Sequence, residues 1–291
     1  MARSGRDYIG PYRLVRPINS SQTCQVWEAV HDTKGGRFAL KVLQSKHRDE
    51  KDLIESLRHE FTVGKNMDHT NVIHIYDFNI DRNIPYLVEE IFSIRNMKQA
   101  ILEGAESLPF LVPKMIVQAA LALEHFHLKG WLHCDVKPDN FLVNDEGVVK
   151  MIDFSIAQKH VTGLGRLFAG RNKVQGTRSY MSPEQIRGQA LGPLSDVYSY
   201  GCMLFELVAG KKPFTGFNAD DLLSKHLRAP IPSLLAATKG VLPEFADFVI
   251  ELMAKKPEQR PSSMTKVLER LEKIRVYRAR TRKKTNSSDS N

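Results

Sequence analysis

Cysteine is scarce in this sequence, with three residues among 291. Cys24, Cys134 and Cys202 lie far apart, and none of them belongs to a Cys-x-x-Cys pair. This spacing excludes a cysteine-rich zinc site and a disulfide framework, and it favours a reducing compartment. The N-terminus lacks the apolar core of a secretory signal, and charged residues interrupt the most apolar stretches, 111–126 and 197–209. We therefore expect a cytoplasmic protein without a membrane span.

Acidic residues are nearly absent from the end of the chain, where Asp289 is the one acid after position 274. Six basic residues between 275 and 284 give the segment from 275 onward +5 of the total charge of +9. We interpret 275–291 as a basic, disordered and solvated tail; contact with nucleic acid, an anionic membrane or an acidic partner is the alternative. No specific nucleic-acid partner is predicted. Membrane association could come only through 275–284 or a continuation beyond it, and the oligomeric state is unknown.

The composition of the chain is that of a globular protein, with 42% hydrophobic and 26% charged residues. Short β-rich runs fill the first part, apart from one segment with apolar residues at helical spacing, 49–67. From about Asn96 the pattern becomes helical, so an α+β fold is predicted. The predicted strands are 12–18, 25–31, 37–43, 72–77 and 85–91, and the predicted helices of the second part are 112–126, 195–208, 218–228, 243–255 and 261–276.

A loop-rich stretch with little periodicity, 131–194, carries the residues with the clearest chemistry. It contains Asp135, Lys137 and Asn140 and, thirteen residues beyond Asn140, Asp153. One carboxylate can orient an attacking hydroxyl, while an amide and a second carboxylate hold Mg²⁺ through oxygen. Lys137 can neutralise charge on a transferring phosphoryl group, so this ordered set suits phosphoryl transfer.

Together with motifs on either side, these residues resemble the eukaryotic-type (Hanks-type) serine/threonine protein kinase family over about 11–274. Phe-Ala-Leu-Lys at 38–41 resembles the strand motif with the nucleotide-binding lysine, and 176–184 resembles the substrate-facing loop ending in A-P-E. The segment 180–214 is most similar to the bacterial receptor-type subfamily. The resemblance implies a two-lobed kinase fold. Its parts would be an N-terminal extension (1–10), a small N-lobe of five antiparallel strands plus one helix (about 11–91) and a large, mainly helical C-lobe (about 92–274).

The resemblance also implies ATP-dependent phosphoryl transfer to serine or threonine hydroxyls of protein substrates, with ATP and Mg²⁺ as cofactors. Asp135 would be the catalytic base assisted by Lys137, and Lys41 would hold phosphates while paired with Glu60. The implied Mg²⁺ ligands are Asn140 and Asp153, and the implied ATP-binding residues are Ile18, Asn19, Ser21, Cys24, Val26, Ala39, Lys41, Glu90, Phe92 and Leu142.

Further positions also match the family. Lys137 and Thr177 resemble the serine/threonine branch rather than the tyrosine kinases. Asp196 resembles the buried aspartate that braces the catalytic loop, and Arg260 would pair with Glu184.

The phosphate-covering loop departs from the family pattern G-x-G-x-x-G, because Asn19, Ser21 and Cys24 occupy all three glycine positions. Glycine accepts positive φ and lets backbone N–H groups approach phosphate closely, so we expect weakened ATP binding.

The residues that regulate the family are also changed. Cys134 replaces the arginine that grips an activation-loop phosphate in many relatives, and Ser155 replaces the glycine of D-F-G, which should restrict movement of Asp153. A basic loop opposite a neutral Cys134 has no obvious need for phosphate, so control by phosphorylation of this loop is not expected. The loop 156–175 contains the basic residues Lys159, Arg166, Arg171 and Lys173, no acid, and one hydroxyl residue, Thr162.

Two more departures concern packing around Lys41. Glu89 falls where relatives carry an apolar gatekeeper, and it could compete with Glu60 for Lys41 or be salt-bridged or turned outward. Gly64 takes the place of an apolar side chain in the family's regulatory spine, so we expect a hole beside Phe154. Gly64→Leu is predicted to stabilise the active arrangement.

Three functions remain open at this point. The intact catalytic residues favour an active serine/threonine kinase. The changed loop and regulatory residues favour a pseudokinase that binds nucleotide or partners without catalysis. A small-molecule phosphotransferase could share the H-x-D-x-x-x-x-N loop, but 176–184 and Arg260 resemble protein-substrate kinases.

Overall fold

One antiparallel sheet at the start of the chain packs against a single helix. The computed structural model describes residues 8–104, 108–161 and 175–278. Helix α1 (Lys51–Gly64) follows the fourth strand and packs on the last two. The strands are β1 (Tyr8–Ile9), β2 (Tyr12–Ser20), β3 (Cys24–His31), β4 (Arg37–Leu43), β5 (Ile75–Asp81) and β6 (Ile84–Glu90), in the sheet order β1-β2-β3-β4-β6-β5.

The second part of the described chain is mainly helical. Its long central helix is buried from Ser195 to Val208, because its sequence is apolar nearly all round. The helices are α2 (Met97–Glu103), α3 (Leu108–Leu128), α4 (Pro183–Ile186), α5 (Pro193–Ala209), α6 (Ala219–Arg228), α7 (Leu234–Ala237), α8 (Pro243–Leu252) and α9 (Met264–Leu271). Short strands lie between α3 and α4: β7 (Trp131–Leu132), β8 (Phe141–Val143), β9 (Val149–Met151) and β10 (Gln158–Lys159). This arrangement confirms the predicted α+β, two-lobed fold.

Two predictions about the strands need correction. The sheet has six strands, because Tyr8 and Ile9 of the predicted N-terminal extension pair with Arg13 and Tyr12. The strand predicted at 72–77 begins only at Ile75. Val72 and Ile73 are apolar for another reason: they are buried against the C-lobe, where the N–H of Ile73 donates to the carbonyl of Met151.

The packing at the end of the domain extends past the boundary predicted at 274. Val276 is 4% exposed, and its carbonyl accepts a hydrogen bond from the N–H of Leu242 at 3.0 Å. Tyr277 forms a β-bridge with Val241. Residues 279–291, the rest of the predicted tail, lie outside the described residues.

The structure contradicts the predicted hole at Gly64. A Cβ built on Gly64 would lie 2.4 Å from Cδ1 of Ile75 and 3.2 Å from Cδ2 of Phe154. The Ile75 side chain therefore fills the space that a larger residue of α1 would need. Gly64→Leu would force these neighbours apart rather than stabilise the active arrangement.

Replacing Gly64 by alanine is expected to destabilise the protein by about 1–3 kcal/mol, the range for an overpacked core. In an ordinary helix the same change stabilises by up to about 1 kcal/mol. Chemical denaturation of the wild type and the variant measures the difference. The double variant Gly64→Ala/Ile75→Val removes Cδ1 and should recover part of the loss. Unchanged or higher stability of Gly64→Ala would contradict the packing described here.

Candidate active site

Strand register brings the predicted nucleotide-binding residues of the sheet to one face. Val26 lies directly opposite Lys41, and Ala39 lies opposite Glu89. Cys24 points to the same face as Val26, because side chains alternate along a strand. These five side chains form the nucleotide face of the sheet, which is turned toward α1.

Two carboxylates anchor Lys41 on this face. Its Nζ lies 2.7 Å from Oε2 and 3.0 Å from Oε1 of Glu60, and 3.4 Å from Oδ1 of Asp153. Glu60 is 1% exposed. Burial disfavours the charge on Lys41, but the carboxylates of Asp153 and Glu60 outweigh it and raise the pKa of Lys41 well above its usual value. Lys41 is therefore a permanent cation in a fixed orientation.

Asn140 and Asp153 flank the β8–β9 hairpin and are held near each other by it. The N–H of Ile152 donates to the carbonyl of Asn140 at 2.9 Å. Burial disfavours ionisation of Asp153, but Lys41 and then the Ser155 side chain outweigh it and hold the pKa of Asp153 well below its usual value. Asp153 thus stays an anion at any physiological pH.

An ionised carboxylate and an amide are a donor set that fits Mg²⁺. The described residues contain no group of three or more His, Cys, Asp or Glu side chains able to hold a metal ion. Mg²⁺ usually takes only one or two protein ligands and completes its shell with water and substrate phosphates. The pair Asn140 and Asp153 meets this requirement.

Asp135 is held in one orientation by three donors. Lys137 Nζ donates to Oδ2 at 2.5 Å and Asn140 Nδ2 donates to the same oxygen at 3.2 Å. The N–H of Thr177 donates to Oδ1 at 2.8 Å, and Lys137 Nζ also lies 2.7 Å from the hydroxyl of Thr177. The Asp135 side chain is 12% exposed, so it is fixed yet reachable from the cleft.

The loop between β2 and β3 does not use the conformations that require glycine. None of the three residues at glycine positions, Asn19, Ser21 and Cys24, has a positive φ. Ser21 closes a turn instead: its N–H and hydroxyl donate to the Cys24 carbonyl at 2.8 and 3.1 Å, and its Oγ accepts from the Cys24 N–H at 3.0 Å. Asn19 pairs with Val26, and its neighbour Ile18 is half-buried. The expected weakness of ATP binding therefore does not follow from the loop's backbone conformation.

Glu90, Phe92 and Leu142, predicted to border the adenine, are connected through Lys150. Lys150 lies opposite Leu142 in the β8–β9 hairpin. Its Nζ is 2.9 Å from Oε2 of Glu90 and 5.7 Å from the centre of the Phe92 ring. These residues therefore meet at the junction of the two lobes.

Glu89 is neither turned outward nor paired with Lys41. It is 8% exposed on the nucleotide face, while the hydrogen bonds of Lys41 go to Glu60 and Asp153. Within the described part of the chain, no cation forms a salt bridge with it. Burial, followed by the charge of Glu60, raises the pKa of Glu89 to about 8, so at neutral pH it is mostly protonated.

The variant Glu89→Gln is expected to weaken the dependence of stability on pH. Glu89 in the unfolded chain ionises near its usual 4.5, whereas in the fold it keeps its proton up to about 8. Between these values the folded state binds more protons, so stability falls as the pH rises, and Glu89→Gln removes this contribution. Urea unfolding at about pH 5 and about pH 8 measures it. The exposed Glu258→Gln is the matched control, and parallel pH profiles for wild type and Glu89→Gln would rule the assignment out.

Asp196 on α5 holds the catalytic loop from inside the C-lobe. It is 1% exposed and accepts hydrogen bonds from the backbone N–H groups of His133 and Cys134 at 2.8 and 2.9 Å. His127 Nε2 lies 2.9 Å from the same carboxylate. The contact with His127 was missed from the sequence, where this histidine has no distinguishing feature at the end of an apolar helix.

Two contacts fix the segment that follows Thr177. Arg260 is bidentate to Glu184, with Nη1 and Nη2 at 2.7 and 3.0 Å from the two carboxylate oxygens. Gln185 Nε2 donates to the carbonyls of Cys134 and Gln175 at 2.8 and 2.7 Å, joining this segment to the catalytic loop. The sequence offers no signal for Gln185, because a glutamine after a glutamate is ordinary on any helix.

Cys134 belongs to an apolar cluster with Leu132, Leu191 and Ile156. The position where the resemblance predicts a phosphate-gripping arginine is therefore held by a buried thiol among apolar side chains. Of the basic loop residues considered above, Lys159 lies in β10. The others, and the loop's one hydroxyl residue, lie outside the described residues: Thr162, Arg166, Arg171 and Lys173.

The two lobes, the lysine–glutamate pair and the braced catalytic loop together define a protein kinase domain. The protein kinase domain family matches residues 12–271, and the chain belongs to this family.

Several curated relatives are named serine/threonine-protein kinases. The chain is 36% identical to PknA of Mycobacterium tuberculosis over 238 residues, which cover 80% of this chain and 54% of PknA. It is 30% identical to PrkC of Bacillus subtilis over 257 residues, 88% of this chain and 39% of PrkC. It is also 30% identical to PknL of Mycobacterium tuberculosis over 253 residues, 86% of this chain and 62% of PknL. The chain thus spans about half the length of these relatives. Among the described residues, no helix has the length and apolar character needed to cross a membrane.

Proposed function

We propose that this chain transfers the γ-phosphate of ATP to serine or threonine hydroxyls of protein substrates. The observation that carries the proposal is the contact set of Asp135, Lys137 and Thr177, in a domain whose Lys41–Glu60 pair is formed. Phosphoryl transfer depends mainly on positioning and charge stabilisation, and these side chains supply both.

At the acceptor end, Asp135 receives the proton of the attacking hydroxyl. Its carboxylate is fixed by three donors, so it needs no reorganisation when the substrate arrives. Lys137, between Asp135 and Thr177, places a cation where negative charge builds up on the transferred group.

At the nucleotide end, Lys41 contacts the phosphates while Glu60 holds it in place. Asn140 and Asp153 would hold Mg²⁺, which when bound neutralises charge on the phosphates. The adenine would lie between the nucleotide face, at Val26 and Ala39, and the lobe junction.

The serine/threonine preference rests on the contact of Lys137 with Thr177 and on the names of the relatives. A pseudokinase is not favoured, because the Lys41–Glu60 pair is intact and Asp153 is ionised. A small-molecule phosphotransferase is disfavoured by the buried Arg260–Glu184 pair, which fixes a segment typical of protein-substrate kinases.

The three cysteines are buried free thiols, which is consistent with our proposal that the kinase domain works in the cytoplasm. A basic tail beyond the described residues could add affinity for an anionic membrane surface, and no specific nucleic-acid partner is proposed.

The acceptor class tests this function. The chain is incubated with Mg²⁺, ATP and a generic basic protein, and the modified side chains are identified by mass spectrometry. We expect phosphoserine and phosphothreonine, and none with Asp135→Ala. Phosphotyrosine as the main product, or equal transfer by Asp135→Ala, would overturn the proposal.

A further inference from the structure

The phosphate-covering loop, 19–24, is tied to the connection between β4 and α1, residues 44–50. The backbone N–H of Gln44 donates to the carbonyl of Thr23 at 2.8 Å. Its side-chain Nε2 donates to the carbonyl of Ser21 at 2.5 Å. One residue of the connection thus holds two carbonyls of the loop.

His47 holds the carbonyl between them. Its Nε2 lies 3.1 Å from the carbonyl oxygen of Gln22, and its Nδ1 lies 2.6 Å from Oε1 of Glu50. Carbonyl and carboxylate oxygens only accept, and a neutral imidazole has one N–H, so the ring donates in one of these two contacts, or in both when it is protonated. His47 therefore joins the tip of the loop to Glu50.

The connection also joins the loop to α1, the helix that carries Glu60. The carbonyl of Glu50 accepts the first hydrogen bonds of α1, from the N–H groups of Leu53 and Ile54 at 3.0 and 3.1 Å. Glu60 lies on the same helix and pairs with Lys41. Loop, helix and lysine are thus linked through one short segment.

Holding these carbonyls has an electrostatic consequence for phosphate. A carbonyl oxygen carries partial negative charge and repels phosphate, whereas backbone N–H groups attract it. Hydrogen bonds to Gln44 and His47 direct the carbonyls of residues 21, 22 and 23 toward the connection. These partners hold the carbonyls without the positive-φ conformations that glycine allows.

We propose that Gln44 and His47 are positioning residues for the phosphates of ATP, acting through the loop at 19–24. This rests on the proposed kinase function, since it concerns the same nucleotide. The side chains replace, by hydrogen bonds from outside, the phosphate-binding geometry that glycines provide in the family pattern.

Equilibrium binding of ATP and of adenosine to the whole chain tests the proposal. Losing the side-chain hydrogen bond to the Ser21 carbonyl in Gln44→Ala, or to the Gln22 carbonyl in His47→Ala, is expected to weaken ATP binding about five- to tenfold. Adenosine, which has no phosphate, should bind with its affinity changed less than about twofold. In turnover, the KM for ATP should rise by the same factor, with kcat and the KM for the protein acceptor little changed.

The exposed Lys46→Ala, in the same turn, is the matched control and should bind both ligands like the wild type. His47→Gln keeps one N–H donor and should recover part of the ATP affinity. Thermal unfolding confirms that each variant is folded. Unchanged ATP binding in both alanine variants, or equal weakening of ATP and adenosine, would overturn the proposal. Wild-type protein that binds ATP but transfers no phosphate would refute the kinase function alone.

Discussion

Asp153→Asn is expected to lower the rate of phosphoryl transfer by about a thousandfold or more, as the loss of several kcal/mol of charge stabilisation requires. Lys41 keeps the Asp153 carboxylate ionised, and the change removes the negative charge from one of the two proposed Mg²⁺ ligands. The side-chain volume hardly changes, so the loss should be electrostatic rather than structural.

Nucleotide binding measured with and without Mg²⁺ separates the metal from the fold. Wild-type affinity for ATP should increase on adding Mg²⁺, and Asp153→Asn should lose most of that increase. Asp145→Asn, at a side chain that is 93% exposed, makes the same chemical change outside the site and should behave like the wild type. Full activity of Asp153→Asn would mean that the metal is held elsewhere.

Asp196→Ala is expected to cost about 3–5 kcal/mol of stability and most of the activity. It leaves two buried backbone N–H groups, of His133 and Cys134, without an acceptor. Cys134 also has φ +65°, a strained conformation that this carboxylate helps to maintain. Removing it should release the loop that carries Asp135.

The pH dependence of unfolding distinguishes this role from simple packing. Burial disfavours ionisation of Asp196, but the hydrogen bond from His127 and the nearby charges outweigh it and lower its pKa. The ionised Asp196 therefore contributes its full stabilisation of the fold above the pKa of an unfolded aspartate, about 3.9. This contribution is lost as the pH falls through the lower pKa that Asp196 has in the folded state. Asp196→Asn keeps one acceptor oxygen and should unfold at an intermediate denaturant concentration, without that acid-dependent loss. If the stability of Asp196→Asn fell with decreasing pH in the same way as that of the wild type, the stabilising role assigned to the ionised Asp196 would be wrong.

Motif spacing was sufficient to select Lys41, Asp135 and Asp153, and the structure brings them to one cleft between the lobes. Their chemical roles stay a prediction. Their contacts needed the fold. Gln44 and His47 contact the loop across a strand pair, and neither position has a composition that separates it from an ordinary turn. Hydrogen bonds to backbone carbonyls depend on geometry rather than on residue pairing, so sequence patterns rarely indicate them.

Two errors of sequence interpretation share one physical cause. The apolar run from 72 onward was predicted as strand, but its first residues are buried between the lobes. The hole predicted at Gly64 is filled by Ile75. In both cases the sequence pattern shows correctly that a position is buried, but not which neighbour packs against it. Glu89 illustrates the same limit, since a carboxylate on a β-rich run gives no sign of whether it will be buried.

The central claim is that a loop without glycine covers a working catalytic centre. Single-turnover transfer of labelled γ-phosphate, with ATP binding measured in parallel, tests it most directly in the wild type, Asp135→Asn and Asp139→Asn. Asp139 is exposed in the same loop, so its variant controls for the charge change. We expect transfer by the wild type and by Asp139→Asn, and at least about a hundredfold less by Asp135→Asn with ATP binding retained. ATP binding without transfer in the wild type, or equal rates in all three proteins, would contradict the account.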